Sequence, residues 1–122
     1  QKLPISRVLT DINIAVTGLI EEDYYTRIYV EVENKKAVPL QLLHTSALAI
    51  VDGDRYKASE MLHFTPDERW YHDIAEEEIR SGYILLPSIP EESKEMLLEL
   101  TIIYNDASQE TTTVDFAIRL DS

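Results

Sequence analysis

Apolar and polar residues alternate along most of this chain, and a period of two is the signature of half-buried β-strands. Ile12, Ile14 and Val16 alternate with Asp11, Asn13 and Ala15 until Gly18 closes the run. From Tyr24 to Glu33 the pattern is cleanest, with Ile28, Val30 and Val32 on one face. Arg27, Tyr29, Glu31 and Glu33 take the other. Asn34-Lys35-Lys36 ends that strand as a turn, and Pro39 delays the next pairing. Leu40 to Val51 reads as two short strands broken near His44-Thr45-Ser46. Asp52-Gly53-Asp54 is a tight hairpin turn, because glycine accepts positive φ, and Arg55 to Ala58 return from it. Gly82 to Leu86, Met96 to Tyr104 and Thr111 to Leu120 complete the set, the last two joined by Asn105-Asp106-Ala107-Ser108.

One segment departs from alternation. Thr65-Pro66-Asp67-Glu68 has the composition of a helix start, with a Thr cap, Pro at the first position and Glu at the third. Arg69 to Arg80 follow with good helix formers and Glu76 four residues before Arg80. The expectation is one or two helical turns connecting two sheets. Seven to nine short strands with one short helical crossover predict an all-β fold, an antiparallel immunoglobulin-like β-sandwich, with a barrel as the other solution. With no repeat and no linker, residues 1–122 read as one domain.

Some strands are apolar on both faces. Between Met96 and Tyr104 the even positions can face a core, which leaves Leu97 and Ile103 on the opposite face beside Glu99 and Thr101. Leu40-Gln41-Leu42-Leu43 and Tyr83-Ile84-Leu85-Leu86 share this property. A two-layer sandwich needs only one apolar face per sheet. The surplus is assigned to cover by the crossover, through Trp70 and Tyr71, and by Leu3 to Val8, or else to a second subunit.

Composition narrows the function. The 122 residues are 44% hydrophobic, enough for a packed core. A net charge of −12 opposes both nucleic acid and anionic lipid, so neither is an expected partner. No run approaches the roughly 18 apolar residues of a membrane span, so no direct insertion by this fragment is expected. The chain opens on Gln1 rather than Met, as a mature or trimmed fragment does, which leaves room for an upstream signal or anchor. Cysteine is absent, which removes disulfides, thiolate metal sites and thiol catalysis.

No catalytic motif emerges. His44, His63 and His72 are widely spaced, and zinc normally takes three or four ligands, so they read as surface or loop-edge residues. His72 and Glu76 would share one ion only if their segment were helical. Asp52-Gly53-Asp54 and the acidic run Asp73, Glu76, Glu77, Glu78 lack the spacing of a calcium loop. Carboxylate pairs suited to glycoside hydrolysis are inevitable among 23 acidic residues and carry no specificity. Neither a nucleophile elbow nor a phosphate-binding or dinucleotide-binding glycine loop is present. The expectation is therefore no enzyme, no metal and no cofactor.

A strand ending in Val32-Glu33-Asn34, then Pro39 and an apolar strand into Asp52-Gly53, is half of a family pattern. Gly82 with its apolar strand, Ile89-Pro90 and the strand Leu97 to Ile103 are the other half. Together they resemble the telokin-like, immunoglobulin-fold domains of bacterial and archaeal envelope and secreted proteins. The likeness spans about Thr10 to Tyr104. Ala75-Glu76-Glu77-Glu78-Ile79 stands where the family usually has Pro-Gly, and Leu86 lies where it favours an aromatic. The resemblance implies a sandwich in an extracytoplasmic protein, secreted or anchored to the cell envelope, and brings no catalytic residues.

The function expected is a non-enzymatic structural or protein–protein interaction module that tethers a surface assembly. Its contacts would be an exposed sheet edge, the polar-face residues Tyr25, Arg27 and Tyr29, and the surplus apolar residues Leu97 and Ile103. The partner would be an envelope or surface protein, or a second copy forming a homodimer through a sheet edge or face. The alternative is a small-ligand or metal-ion site in the His63–Glu78 region.

Overall fold

The structure, a computed structural model, describes residues 2–120. Gln1, Asp121 and Ser122, the ends of the expected 1–122 domain, lie outside the described residues. Nine strands form two antiparallel sheets: β1 (Ile5–Leu9), β2 (Ile12–Glu21), β3 (Tyr25–Asn34), β4 (Leu40–Leu42), β5 (Leu48–Val51), β6 (Asp54–Lys57), β7 (Ile79–Pro87), β8 (Glu95–Tyr104) and β9 (Thr111–Arg119). The first sheet runs β1-β2-β3-β7. In the second, β8 is central, with β9 along one side. Its other side takes β4 against Ile102–Tyr104 and β5 against Leu97–Glu99, and β6 pairs with β5. A single-turn 3-10 segment, His44–Ser46, makes the break between β4 and β5 where the alternation faltered. This is the all-β sandwich that the strand count predicted.

Alternation decides which side chains meet. Ile14, Val16, Ile28, Val30 and Val32 point inward from the first sheet. Met96, Leu98, Leu100, Ile102, Val114, Phe116 and Ile118 point inward from the second. Removing this apolar surface from water is the main term holding the layers together. Tyr104 and Leu120, at the strand ends, pack against the core while remaining partly exposed.

Two local expectations change. Leu3 to Val8 is not a loose cover, because Ile5–Leu9 is a strand in register with β2 from Ile5↔Val16 to Leu9↔Ile12. Gly18 does not end β2 either. A bulge between Val16 and Gly18 takes up one residue, and pairing with β3 continues to Glu21↔Thr26.

The helix start is also corrected. Residues 69–80 hold no α-helix; Glu68–Tyr71 is one 3-10 turn, and Ile79 and Arg80 already belong to β7. The cap is Asp67 rather than Thr65, its carboxylate accepting from Arg69 N at 3.1 Å. Arg80 pairs with Glu78, not Glu76, and its guanidinium also donates to the carbonyls of Arg69, His72 and Asp73. An extended chain leaves those carbonyls without helical donors, and Arg80 satisfies them.

Candidate functional site

The outward face of the first sheet is built in cross-strand rows. Register places Gly18, Tyr29 and Tyr83 in one row. On one side of it lies the row Ile20, Arg27 and Leu85, and on the other Ala15, Glu31 and Ser81. Tyr25 stands beside Pro87 at the end of β3. The bulge at Val16/Gly18 brings Gly18 beside Tyr29, whose Cδ2 lies 3.5 Å from where a glycine Cβ would be. A methyl group there would be in ordinary contact with the ring, so Tyr29 packs against β2 at the bulge.

Arg27 lies over aromatic rings here. Its guanidinium carbon is 4.6 Å from the Tyr83 ring centre and 5.7 Å from that of Tyr25. Nη2 donates to the Tyr25 hydroxyl at 3.2 Å, while Nε is buried with no acceptor. The hydrogen bond to Tyr25 raises the guanidinium pKa above its already high ordinary value, against the opposing effect of burial. No carboxylate pairs with it, unlike Arg69, which pairs with Asp67, and Arg80, which pairs with Glu78. Arg7 over Phe116 and Lys36 over Tyr104 are likewise cations on single rings, but Arg27 lies over two, on an outward face.

The crossover between β6 and β7 wraps the β7 edge and laps over one end of this face. Its 3-10 turn Ala58–Met61 contributes Ala58 and Met61, both buried. Phe64 meets Tyr25 edge-on at 5.5 Å, and Tyr83 Oη donates to the Thr65 carbonyl at 3.2 Å. Trp70 turns inward, fully buried, its Nε1 donating to the Tyr83 carbonyl at 2.9 Å. Asp67 Oδ2 accepts from Tyr83 N and Arg69 Nη2, and Oδ1 from Arg69 Nε, each at 2.9 Å. Burial pushes the Asp67 carboxyl up, but Arg69 and the backbone N–H groups of Tyr83 and Arg69 outweigh it and hold it below the ordinary carboxylate range.

Between the crossover and β7 lies a cleft with about 50 Å³ of room for water-sized molecules, lined by His44, Met61, Phe64, Asp67, Tyr71 and Tyr83 among others. His44 packs edge-on against Tyr71 at 4.8 Å, and its Nε2 is buried without a partner. Desolvation lowers its pKa, partly offset by the Asp67 charge. His63 and His72, expected at this connection, are exposed and do not line the cleft. The 3-10 turn ends before Glu76, so the helical spacing that would bring His72 and Glu76 together does not arise. Among the described residues no three His, Asp or Glu converge as a metal cage.

The residues singled out from sequence thus fall into two groups. Tyr25, Arg27 and Tyr29 share the outer face of the first sheet, half-buried. Leu97 and Ile103 lie on the outer face of the second sheet, on the far side of the molecule. Leu97 continues a row from Ile50 to Ala117, and Ile103 one from Gln41 to Thr111. One partner surface does not include both groups. Sequence reasoning missed Tyr83 and Phe64, for the first of which the two-sided run Tyr83-Ile84-Leu85-Leu86 was the available signal, and it read His44 as a loop-edge residue where the structure half-buries it in the cleft.

Neither a family model nor a curated protein matches the sequence. Among solved structures, the fold is similar to that of the yjhA protein from Bacillus subtilis, with a TM-score of 0.60 over 98% of each chain at 13% identity. Identity this low establishes a shared fold and carries no function with it.

Proposed function

We propose that this chain is a non-enzymatic protein–protein interaction module of the telokin-like, immunoglobulin-fold kind, acting in an extracytoplasmic protein, secreted or attached to a cell envelope. The observation that carries the reading is Arg27 without a carboxylate, over the Tyr83 ring and bonded to the Tyr25 hydroxyl, on an outward face otherwise rich in tyrosine and aliphatic residues. Tyr and Arg are enriched where proteins meet, because each brings a large apolar surface with a polar end. The non-enzymatic part rests on Asp67. It is the one buried charged residue among those described, and its oxygens are taken up by structural donors. The setting rests on the family resemblance.

A photo-crosslinking amino acid placed at position 29 tests the reading in cells that produce the protein, with position 52 on the distant β5–β6 turn as control. A discrete adduct to one protein from position 29 alone is the expected outcome. Equal labelling from both positions, or no adduct from position 29, overturns it.

A further inference from the structure

The three rows on the outer face of the first sheet are complementary to themselves. The row Ile20, Arg27, Leu85 is bulky and positive, whereas the row Ala15, Glu31, Ser81 is small and negative. They flank the row Gly18, Tyr29, Tyr83 symmetrically, because Arg27 and Glu31 lie two residues either side of Tyr29. Consider a two-fold axis lying in the plane of contact, along the Gly18–Tyr29–Tyr83 row and across the strands. It sets β3 antiparallel over β3 of a second molecule. Arg27 then meets Glu31 of the other copy, twice. Ile20 comes over Ala15, a large side chain against a small one, while Leu85 lines the cleft beside the crossover. In the central row Tyr29 packs against Gly18, which adds no side chain of its own, and the Tyr83 hydroxyl is tied to the Thr65 carbonyl.

We infer that the partner of this face is a second copy of the same chain, in an isologous dimer with paired Arg27–Glu31 contacts across it. The inference rests on the interaction-module reading and specifies its partner. Charge argues for it in two ways. Arg27 lacks a carboxylate in its own chain, and Glu31 is exposed with only a long 3.4 Å hydrogen bond from Ser81. The net charge of −12 per chain opposes association in general, so a local match of sign selects this register over others. Exposed Ile20, at 47%, becomes buried on pairing.

The test is the solution mass over a concentration series at about 0.15 M salt, which screens the long-range repulsion. Wild type, Arg27→Glu, Glu31→Arg and the double reversal are compared, with melting curves to confirm folding. Wild type is expected to dimerise, each single reversal to raise the dimer Kd at least about tenfold by setting like charges opposite, and the double reversal to restore it. Glu31→Arg leaves the Arg27 contacts with Tyr25 and Tyr83 untouched, and Ala15→Trp blocks pairing from a different strand, so the test survives misfolding of Arg27→Glu. A wild type monomeric at every concentration overturns the dimer, as does a dimer that ignores the single reversals or is not restored by the double. A crosslink from position 29 to a different protein, with wild type monomeric, would sink the self-pairing while leaving the interaction module standing. No adduct together with a monomer removes both.

Discussion

Gly82 leaves the space that Trp70 fills. A Cβ on Gly82 would stand 2.7 Å from Trp70 Cζ2 and 2.5 Å from Asp67 Oδ2, closer than real Cβ atoms come to their neighbours. The glycine is required here for room, not for an unusual backbone angle. Gly82→Ala is expected to destabilise the protein by about 1–3 kcal/mol through overpacking, measured by urea unfolding. Unchanged stability would mean that the crossover shifts away from β7 without penalty.

Asn34 is expected to be a costly position. It is fully buried, donates from Nδ2 to the carbonyls of Val38 and Ile74 at 3.0 Å each, and accepts from Lys36 N at 2.8 Å. Asn34→Ala strands those groups and should cost roughly 3 kcal/mol. At neutral pH Asn34→Asp should cost more, because a carboxylate would face two carbonyl oxygens. Urea midpoints should therefore fall in the order wild type, Ala, Asp; the reverse order for the two variants refutes the assignment of donors.

Burial lowers the pKa of His44 in the folded state, so protonation favours the unfolded chain. Its contribution is intact above the unfolded value of about 6.5 and declines as pH falls toward the folded value. Melting temperature should drop on acidification below neutrality, and His44→Phe, which keeps a ring against Tyr71, should flatten that drop. Parallel pH profiles for the two proteins would contradict this.

Asp67 has the opposite chemistry and the same sign. Its folded pKa is depressed, so its contribution is complete above the unfolded value of about 3.9 and disappears as pH falls through the folded value. Asp67→Asn should lose about 1–3 kcal/mol near neutrality, mainly from weakened bonds to Tyr83 N and Arg69 N, and much less at pH values where the wild-type carboxyl is protonated. The Arg69 side chain, 61% exposed, adds little to this by charge alone, so Arg69→Ala should be milder. Equal penalties for Asp67→Asn at both pH extremes would assign the loss to packing.

The strands were legible wherever alternation is local. Ile28, Val30 and Val32 face the core as their spacing demands, and Asp52-Gly53 turns where its chemistry says, with both residues at positive φ. β1 was hidden because Ser6 and Arg7 dilute its apolar pattern; β2 supplies the pairing that makes Ile5–Leu9 a strand. The crossover does hold short helical turns between the sheets, but its cap and extent were misread for a related reason. Thr65-Pro66-Asp67-Glu68 satisfies the local rules for a helix start, yet Trp70 gains more by entering the core beside Gly82 than a short helix would return. The site was half legible: Tyr25, Arg27 and Tyr29 follow from strand periodicity. The pair of rings at Arg27 depends on β7 pairing with β3 across some fifty residues, as Tyr29↔Tyr83 does, and no local pattern announces it.

The wrapped β7 edge also bears on how far assembly can proceed. Asp67 and Trp70 occupy the backbone groups of Tyr83 on that edge, and its neighbour β6 is short and carries Asp54, Arg55 and Lys57. On the opposite flank β1 and β9 lie together, Arg7 reaching over Phe116. Strand-by-strand growth into a fibre needs an acceptor at each end of the molecule, and here one end is blunted. The fold closes one of its own flanks to strand pairing, so that growth by this route is interrupted at the β7 side.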